Sequence, residues 1–323
     1  MPMPRPLRAA IAAMALLLCL VLLAMGTALV YLKLNEARLV FAAGFSHAWQ
    51  GLPADAPAGA REVRIPAPGG ALHGYILLPS TTQQGGYWIL HLHGNRDSAF
   101  SPVQLHNMQQ LRDAGFAVLA FDYAGFGPSP GTASEQGLYD GATAAWQWLL
   151  ARGVAPAHII VFGHSLGSAP AVKLATEQRA AALVLFGAFT SIPDMAGQRY
   201  PWLPVRGIVG VQLDSLRRMP AIRMPVVIAH CPTDRTIPFA QAARLFAAAP
   251  PPRRLLRVPL RHEDGFGGHV TALYEQLDLL LPLLHELAGV PWPAAAPAGA
   301  RPTPGGPPVT ANPQVFVTGA AAL

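Results

Sequence analysis

The chain has 323 residues, 52% of them hydrophobic and only 12% charged, which excludes the polar, highly charged composition of sequences that stay disordered. Its 23 basic and 17 acidic residues give a net charge of +6. Arg253, Arg254, Arg257 and Arg261 are interspersed with apolar residues and form no dense basic run, so nucleic acid is not expected as a partner. Two cysteines, Cys19 and Cys231, exclude a disulfide framework.

The first predicted element is apolar. The 24 residues from Ala9 to Leu32, between Arg8 and Lys33, carry no charge. As a helix rising ~1.5 Å per residue they reach ~36 Å, more than the ~30 Å hydrocarbon layer of a bilayer. Residues 1–33 are therefore expected to be an N-terminal membrane anchor. A signal peptide cut near Ala24-Met25-Gly26 is the alternative, but the run exceeds the ~7 to 15 residues of a typical signal core. Arg5 and Arg8 before the run nearly balance Lys33 and Arg38 after it. The reading taken is N-terminus inside, with the domain extracytoplasmic. Residues 34–59 are read as a linker, 60–290 as one α/β domain, and the Pro/Ala-rich stretch 291–323 as a flexible tail.

Within the domain, strands are predicted at Val63 to Ile65, Ala71 to Leu78, Tyr87 to His93, Phe116 to Phe121, Ile159 to Phe162, Ala182 to Phe186, Val226 to His230 and Leu255 to Val258. Helices are predicted at Val103 to Asp113, Glu135 to Arg152, Leu166 to Gln178, Phe239 to Ala249 and Thr271 to Leu287. The later strands are apolar throughout, as strands covered on both faces should be. Alternation of strand and helix predicts a mostly parallel sheet with helices on both faces, binding its ligand at the carboxyl ends of the strands. The stretch of about 188–222 between two strands suits a short lid and is too small for a cap domain.

Gly163-His164-Ser165-Leu166-Gly167 stands where a strand passes into a helix. So tight a turn requires small flanking residues and thrusts the serine above the sheet edge, the context of a nucleophile. A serine hydroxyl needs a base and the base an orienting acid. Asp234 follows the strand ending at His230 and is the expected acid. Two histidines lie between the last strand and the final predicted helix; His262, four residues beyond the strand, is taken as the base, with His269 as the alternative. For the oxyanion, backbone N–H groups are expected from Leu166 and, in His93-Gly94-Asn95, from Asn95. His91, His93 and Asp97 could suggest metal ligands, but nothing in the sequence nearby completes a site, so no metal and no cofactor is expected.

With these residues in view, the chain resembles the α/β-hydrolases, and more narrowly membrane-anchored serine hydrolases of the lysophospholipase-like, depalmitoylase-like and serine aminopeptidase-like kind. His93-Gly94-Asn95, the run Asp122 to Gly131, Gly163 to Gly167, and Asp234 with Pro238 carry the likeness, over about residues 60–288. It implies Ser165 as nucleophile, Asp234 as acid, His262 as base, and Asp122 to Gly131 as the loop bordering the site. The sequence departs from the family where relatives show Gly-His-Asn-Asp and this chain has Arg261-His262-Glu263-Asp264. The resulting expectation is a serine hydrolase acting on carboxylic esters or thioesters, acyl lipids among them. A peptidase or amidase on the same residues and a catalytically silent binding module are the alternatives.

Overall fold

Short runs of consecutive apolar residues become strands that are buried on both faces, and the turn residues between them let helices fold back over the sheet. The computed structural model describes residues 4–79, 86–261, 265, 267–269 and 271–289. In chain order its regular elements begin with α1 (Arg5–Leu34), α2 (Glu36–Val40), β1 (Arg61–Ile65), β2 (Leu72–Leu77), β3 (Trp88–Leu92), α3 (Pro102–Asp113), β4 (Ala117–Phe121) and α4 (Glu135–Leu150). There follow β5 (Ile159–His164), α5 (Ser168–Glu177), β6 (Ala182–Phe186), α6 (Ile192–Arg199), α7 (Ser215–Arg218), β7 (Val226–His230), α8 (Phe239–Ala248), β8 (Arg253–Arg257), α9 (Thr271–Glu275) and α10 (Leu281–Ala288).

The strands form an eight-stranded sheet ordered β1-β2-β4-β3-β5-β6-β7-β8. β1 pairs with β2, and β2 with β4, antiparallel; the remaining neighbours are parallel. The expected eight-stranded, mostly parallel α/β sheet is what the chain builds. Every residue of β4, β5, β6 and β7 is buried. On one face, α4, α5 and α8 bring Trp146, Leu149, Val172 and Leu245 onto the sheet. On the other, α3 and α10 bring Leu105, Met108 and Leu284. Ser101 and Ser134 start α3 and α4 by accepting from the backbone N–H three residues on, which satisfies a donor the helix itself leaves open.

The stretch expected at Thr271 to Leu287 as one helix divides into α9, a single 3-10 turn at Leu277–Leu279, and α10. Pro282 is tolerated because it falls in the first turn of α10, where its missing N–H has no partner to lose. Residues 34–59, expected as a linker, instead carry α2 and a 3-10 segment, Ala43–Ala48, and bury Val40, Phe41 and Ala43 in the core. The tail 291–323 lies outside the described residues.

The excursion between β6 and β7 contains α6, a 3-10 turn at Val205–Gly207 and α7. Its returning segment is held from two sides. The Glu36 carboxylate accepts from the Gly210 and Val211 N–H groups, each at 2.6 Å. The Glu135 carboxylate accepts from the Gln212 and Leu213 N–H groups at 2.7 and 2.9 Å.

Candidate active site

Ser165 sits at the carboxyl end of β5, in the middle of the sheet, and its φ of 50° places it in the left-handed region. A non-glycine residue holds that conformation only when its surroundings enforce it, and such strain is characteristic of functional turns. The enforcement is visible in the flanking glycines. A Cβ on Gly163 would stand 2.6 Å from the Gly167 carbonyl oxygen, and one on Gly167 only 2.0 Å from that of Leu92. The backbone therefore closes on itself around the serine, and α5 begins just beyond it.

The hydroxyl faces an imidazole. Ser165 Oγ lies 2.9 Å from Nε2 of His269, and His269 Nδ1 lies 2.7 Å from Oδ2 of Asp234. Asp234 follows β7, and its other oxygen accepts from the backbone N–H groups of Thr236 and Ile237, each at 2.8 Å. His230 Nε2 stands 3.3 Å from Oδ2 and 2.7 Å from the Ile237 carbonyl. A carboxylate fixed in this way accepts the hydrogen bond of His269 Nδ1–H, which keeps the proton on Nδ1 and leaves Nε2 free to accept the serine O–H. Burial alone would push the Asp234 carboxyl up, but the hydrogen bonds from His230, His269 and the Ile237 N–H outweigh it and hold the group well below the usual carboxylate range. The carboxylate is thus charged at any working pH.

His164 stacks 5.9 Å from the His269 ring, and burial together with the neighbouring His269 pushes it down to about 3. It stays neutral and places no competing charge beside the site.

His262, taken from the sequence as the base, lies outside the described residues, and the imidazole that meets Ser165 is that of His269. The reason is a loop that turns back on itself. Gly265, Gly267 and Gly268 all have positive φ. A Cβ on Gly267 would fall 2.0 Å from the Thr233 carbonyl oxygen, and one on Gly268 2.7 Å from Cys231 Sγ. Only glycines allow the loop to press this closely against the Asp234 turn, and the next residue is His269. Counting residues from the strand end favours His262; the Gly267-Gly268 pair was the available signal for His269.

Gly94 approaches the serine closely, since a Cβ there would be 3.3 Å from Ser165 Cβ. Next to it, the Asn95 side chain accepts from the Ala42 N–H at 2.9 Å and donates to the Val40 carbonyl at 2.7 Å. The loop facing the serine is therefore tied to the segment that follows α2. His93 is fully buried, with Nδ1 2.7 Å from the Gly94 carbonyl and Nε2 3.1 Å from Asp122 Oδ1. Burial pushes its imidazole down, but the hydrogen bond and charge of Asp122 more than reverse this, and the net shift is upward. Asp122 also accepts from Ser98 Oγ and the Ala99 N–H, both at 2.7 Å. It therefore braces the base of the loops rather than lining their opening. His230, His93 with Asp122, and the Asn95 amide were not assigned these roles from sequence; Asp122 and the Asn95 partners are distant in the chain, and His230, four residues from Asp234, stands at the end of a strand that reads as apolar core.

Comparison with known proteins agrees with this architecture. A family model described as serine aminopeptidase, S33, matches residues 88–211. A Mycobacterium tuberculosis protein described as uncharacterized is 38% identical over 210 residues, covering 64% of this chain and 74% of that one. Human protein ABHD12B is 31% identical over 187 residues, 52% of this chain and 51% of its own length. Among solved structures, the esterase domain of a Rhodothermus marinus protein superposes with a TM-score of 0.52 at 23% identity, over 71% of this chain and 97% of that one. A Pyrococcus furiosus esterase superposes with a TM-score of 0.57 at 17% identity, over 75% and 97% of the two chains. The chain belongs to the α/β-hydrolase superfamily. By that membership it is a hydrolase.

Proposed function

We propose that this chain is a membrane-held serine hydrolase that cleaves carboxylic esters or thioesters through an acyl-enzyme. The observation that carries the reading is the hydrogen-bonded series Ser165, His269, Asp234, with separations of 2.9 and 2.7 Å. In the proposed reaction the Ser165 oxygen attacks the acyl carbonyl while its proton passes to His269 Nε2. The carbonyl oxygen gains the negative charge and is held by the backbone N–H groups of Leu166 and Asn95. Collapse breaks the bond to the alcohol or thiol, which leaves with the proton from His269. Water then gives up a proton to the same imidazole, attacks the acyl-serine, and releases the carboxylic acid as Ser165 recovers its proton. Asp234 stays ionised throughout and stabilises the imidazolium formed in each half.

Esters are favoured over peptides with a free amino terminus, because that substrate calls for an acidic group to bind its ammonium. Among the described residues, the strand-end carboxylates Asp122, Asp97 and Asp194 are already engaged, Asp122 with His93, Asp97 with Gln104, and Asp194 with Thr190 and Arg244. α1 is assigned as the anchor. It is a 30-residue helix with no buried residue, long enough to cross a bilayer. The orientation taken is N-terminus inside with the domain outside. Acyl lipids are the substrate class this location favours.

The test is turnover by the full chain in bilayer nanodiscs of matched substrates: p-nitrophenyl esters, thioesters and p-nitroanilides of the same acyl groups, from short to long. The expected result is cleavage of esters or thioesters, abolished in Ser165→Ala, with a preference among chain lengths. Faster cleavage of the anilides would replace this reading with the amidase one, and equal rates at every chain length would remove acyl lipids as the substrate class.

A further inference from the structure

The excursion between β6 and β7 does not lie over the sheet alone; it also packs on α1. Ala196, Leu203 and Val205 form a small buried cluster, and Met25, Ala28, Leu29 and Leu32 of α1 pack against it. The position of these residues along the helix matters. A hydrocarbon layer of ~30 Å takes ~20 helical residues. Counted from Ala9, the first residue after Arg8, such a span ends near Ala28, so Leu29 to Leu32 extend ~6 Å beyond it. The headgroup layer adds ~5 to 7 Å on each side. The excursion is therefore packed on α1 across the very level at which hydrocarbon gives way to headgroups.

Its attachment there is fixed. Glu36, two residues beyond α1, takes the Gly210 and Val211 N–H groups and pairs with Lys33 at 2.8 Å. The tip of the same excursion exposes Trp202. Outside α1, Trp202 is 65% exposed, against 47% for Phe45 and 37% for Leu279, the other large apolar side chains exposed among the described residues. The Phe45 ring is covered by the Arg96 guanidinium at 4.0 Å. An indole exposed beside Pro201 and the exposed Arg199 leaves apolar surface in water, whereas its amphipathic ring is well accommodated at a membrane interface.

We propose that the tip Tyr200-Pro201-Trp202 is a second membrane contact, seated in the interfacial layer of the bilayer that holds α1. The inference rests on α1 being the anchor. It turns the lid from a cover into a surface bearing on the bilayer, so that an acyl substrate passes from lipid to site without crossing water. Gly187, where the excursion leaves β6, lies against His269, a Cβ there being 3.4 Å from the imidazole. The same segment thus reaches from the imidazole at Ser165 to the bilayer surface.

The test is tryptophan emission of the full chain in phosphatidylcholine nanodiscs, with and without bromine on the lipid acyl chains. Wild type and Trp202→Phe are compared, so that the difference isolates Trp202 from the other five tryptophans. The expected result is that the Trp202 component is at least halved by the brominated lipid. Equal absolute quenching in the two proteins overturns the inference. Incorporation is read separately, by alkaline extraction of reconstituted vesicles. A chain that is washed off overturns the anchor reading, whereas a retained chain with unquenched Trp202 overturns the lid contact alone. Trp202→Asp supplies a second readout: turnover of a short soluble ester should be unchanged, while that of a long-chain ester carried in vesicles should fall severalfold. An equal effect on both substrates contradicts the proposal.

Discussion

Replacing Asp234 with Asn tests whether this residue sets the proton on His269. In the native protein Oδ1 accepts two backbone N–H groups at 2.8 Å, while Oδ2 faces His269 Nδ1 at 2.7 Å and His230 Nε2 at 3.3 Å. An Asn has one oxygen. If it stays on the Thr236 and Ile237 N–H groups, the NH2 faces His269 and forces the imidazole to carry its proton on Nε2, where it can no longer accept from Ser165. Flipping the amide to restore the productive tautomer leaves two buried N–H donors unpaired, at about 1–3 kcal/mol each, or about 2–6 in all. The loss of negative charge next to the imidazolium adds to this. The expected fall in kcat is on the order of 10³ to 10⁴, equivalent to about 4–5.5 kcal/mol of barrier. Shape is conserved, so the melting temperature should move little compared with the rate. The assay is kcat for a chromogenic ester beside thermal unfolding. A folded Asn variant within about tenfold of wild type would refute the reasoning, because the tautomer would then not depend on Asp234.

Other consequences follow from the turns and the buried pairs. Gly167→Ala sets a Cβ 2.0 Å from the Leu92 carbonyl oxygen and 2.6 Å from that of His93, backbone atoms that cannot swing aside. A loss of about 3 kcal/mol or more is expected, read as a drop of roughly 6 °C or more in melting temperature; an unchanged melting temperature would contradict the packing. His93 is raised in the folded state, so it contributes stability that is fully present below its unfolded value of about 6.5 and is lost as pH rises through the folded value. Denaturant unfolding between about pH 6 and 9 should show stability falling with pH, and Asp122→Asn should flatten that slope. An equal slope in the variant would refute the assignment to this pair. Glu36 behaves with the opposite sign. Burial opposes its ionisation, but Lys33 and the Val211 and Gly210 N–H groups prevail and lower it. Its hold on the lid should persist above the ordinary carboxylate range and loosen only as pH falls through its lowered value, seen as increased proteolysis near Gly210. Loosening at neutral pH would count against it.

Much of this was legible because the relevant signals are local. The strands of the parallel sheet are runs such as Val226 to His230 that are apolar on both faces, and all five of those residues are buried. The serine turn announces itself because its glycines are required by contacts within a few residues or with the adjoining strand. The imidazole was not legible by the same logic. His262 is nearer to β8 in sequence, but proximity to the serine is decided by how tightly the Gly265 to Gly268 loop folds against the turn at Thr233, a contact more than thirty residues distant in the chain. The 34–59 stretch was misread for a related reason. It shows no strand or long helical pattern of its own, and Val40 to Ala43 are buried where the Asn95 amide accepts from the Ala42 N–H and donates to the Val40 carbonyl, a contact more than fifty residues distant in the chain.

The central claim is that Ser165 is activated by His269. It is tested most directly by covalent labelling of the full chain in nanodiscs with a fluorophosphonate probe, comparing wild type with Ser165→Ala, His269→Ala and His262→Ala. Labelling should be lost in the first two variants and retained in the third. Retained labelling in a folded His269→Ala protein, with loss in His262→Ala, would contradict the account and return the base to the other histidine.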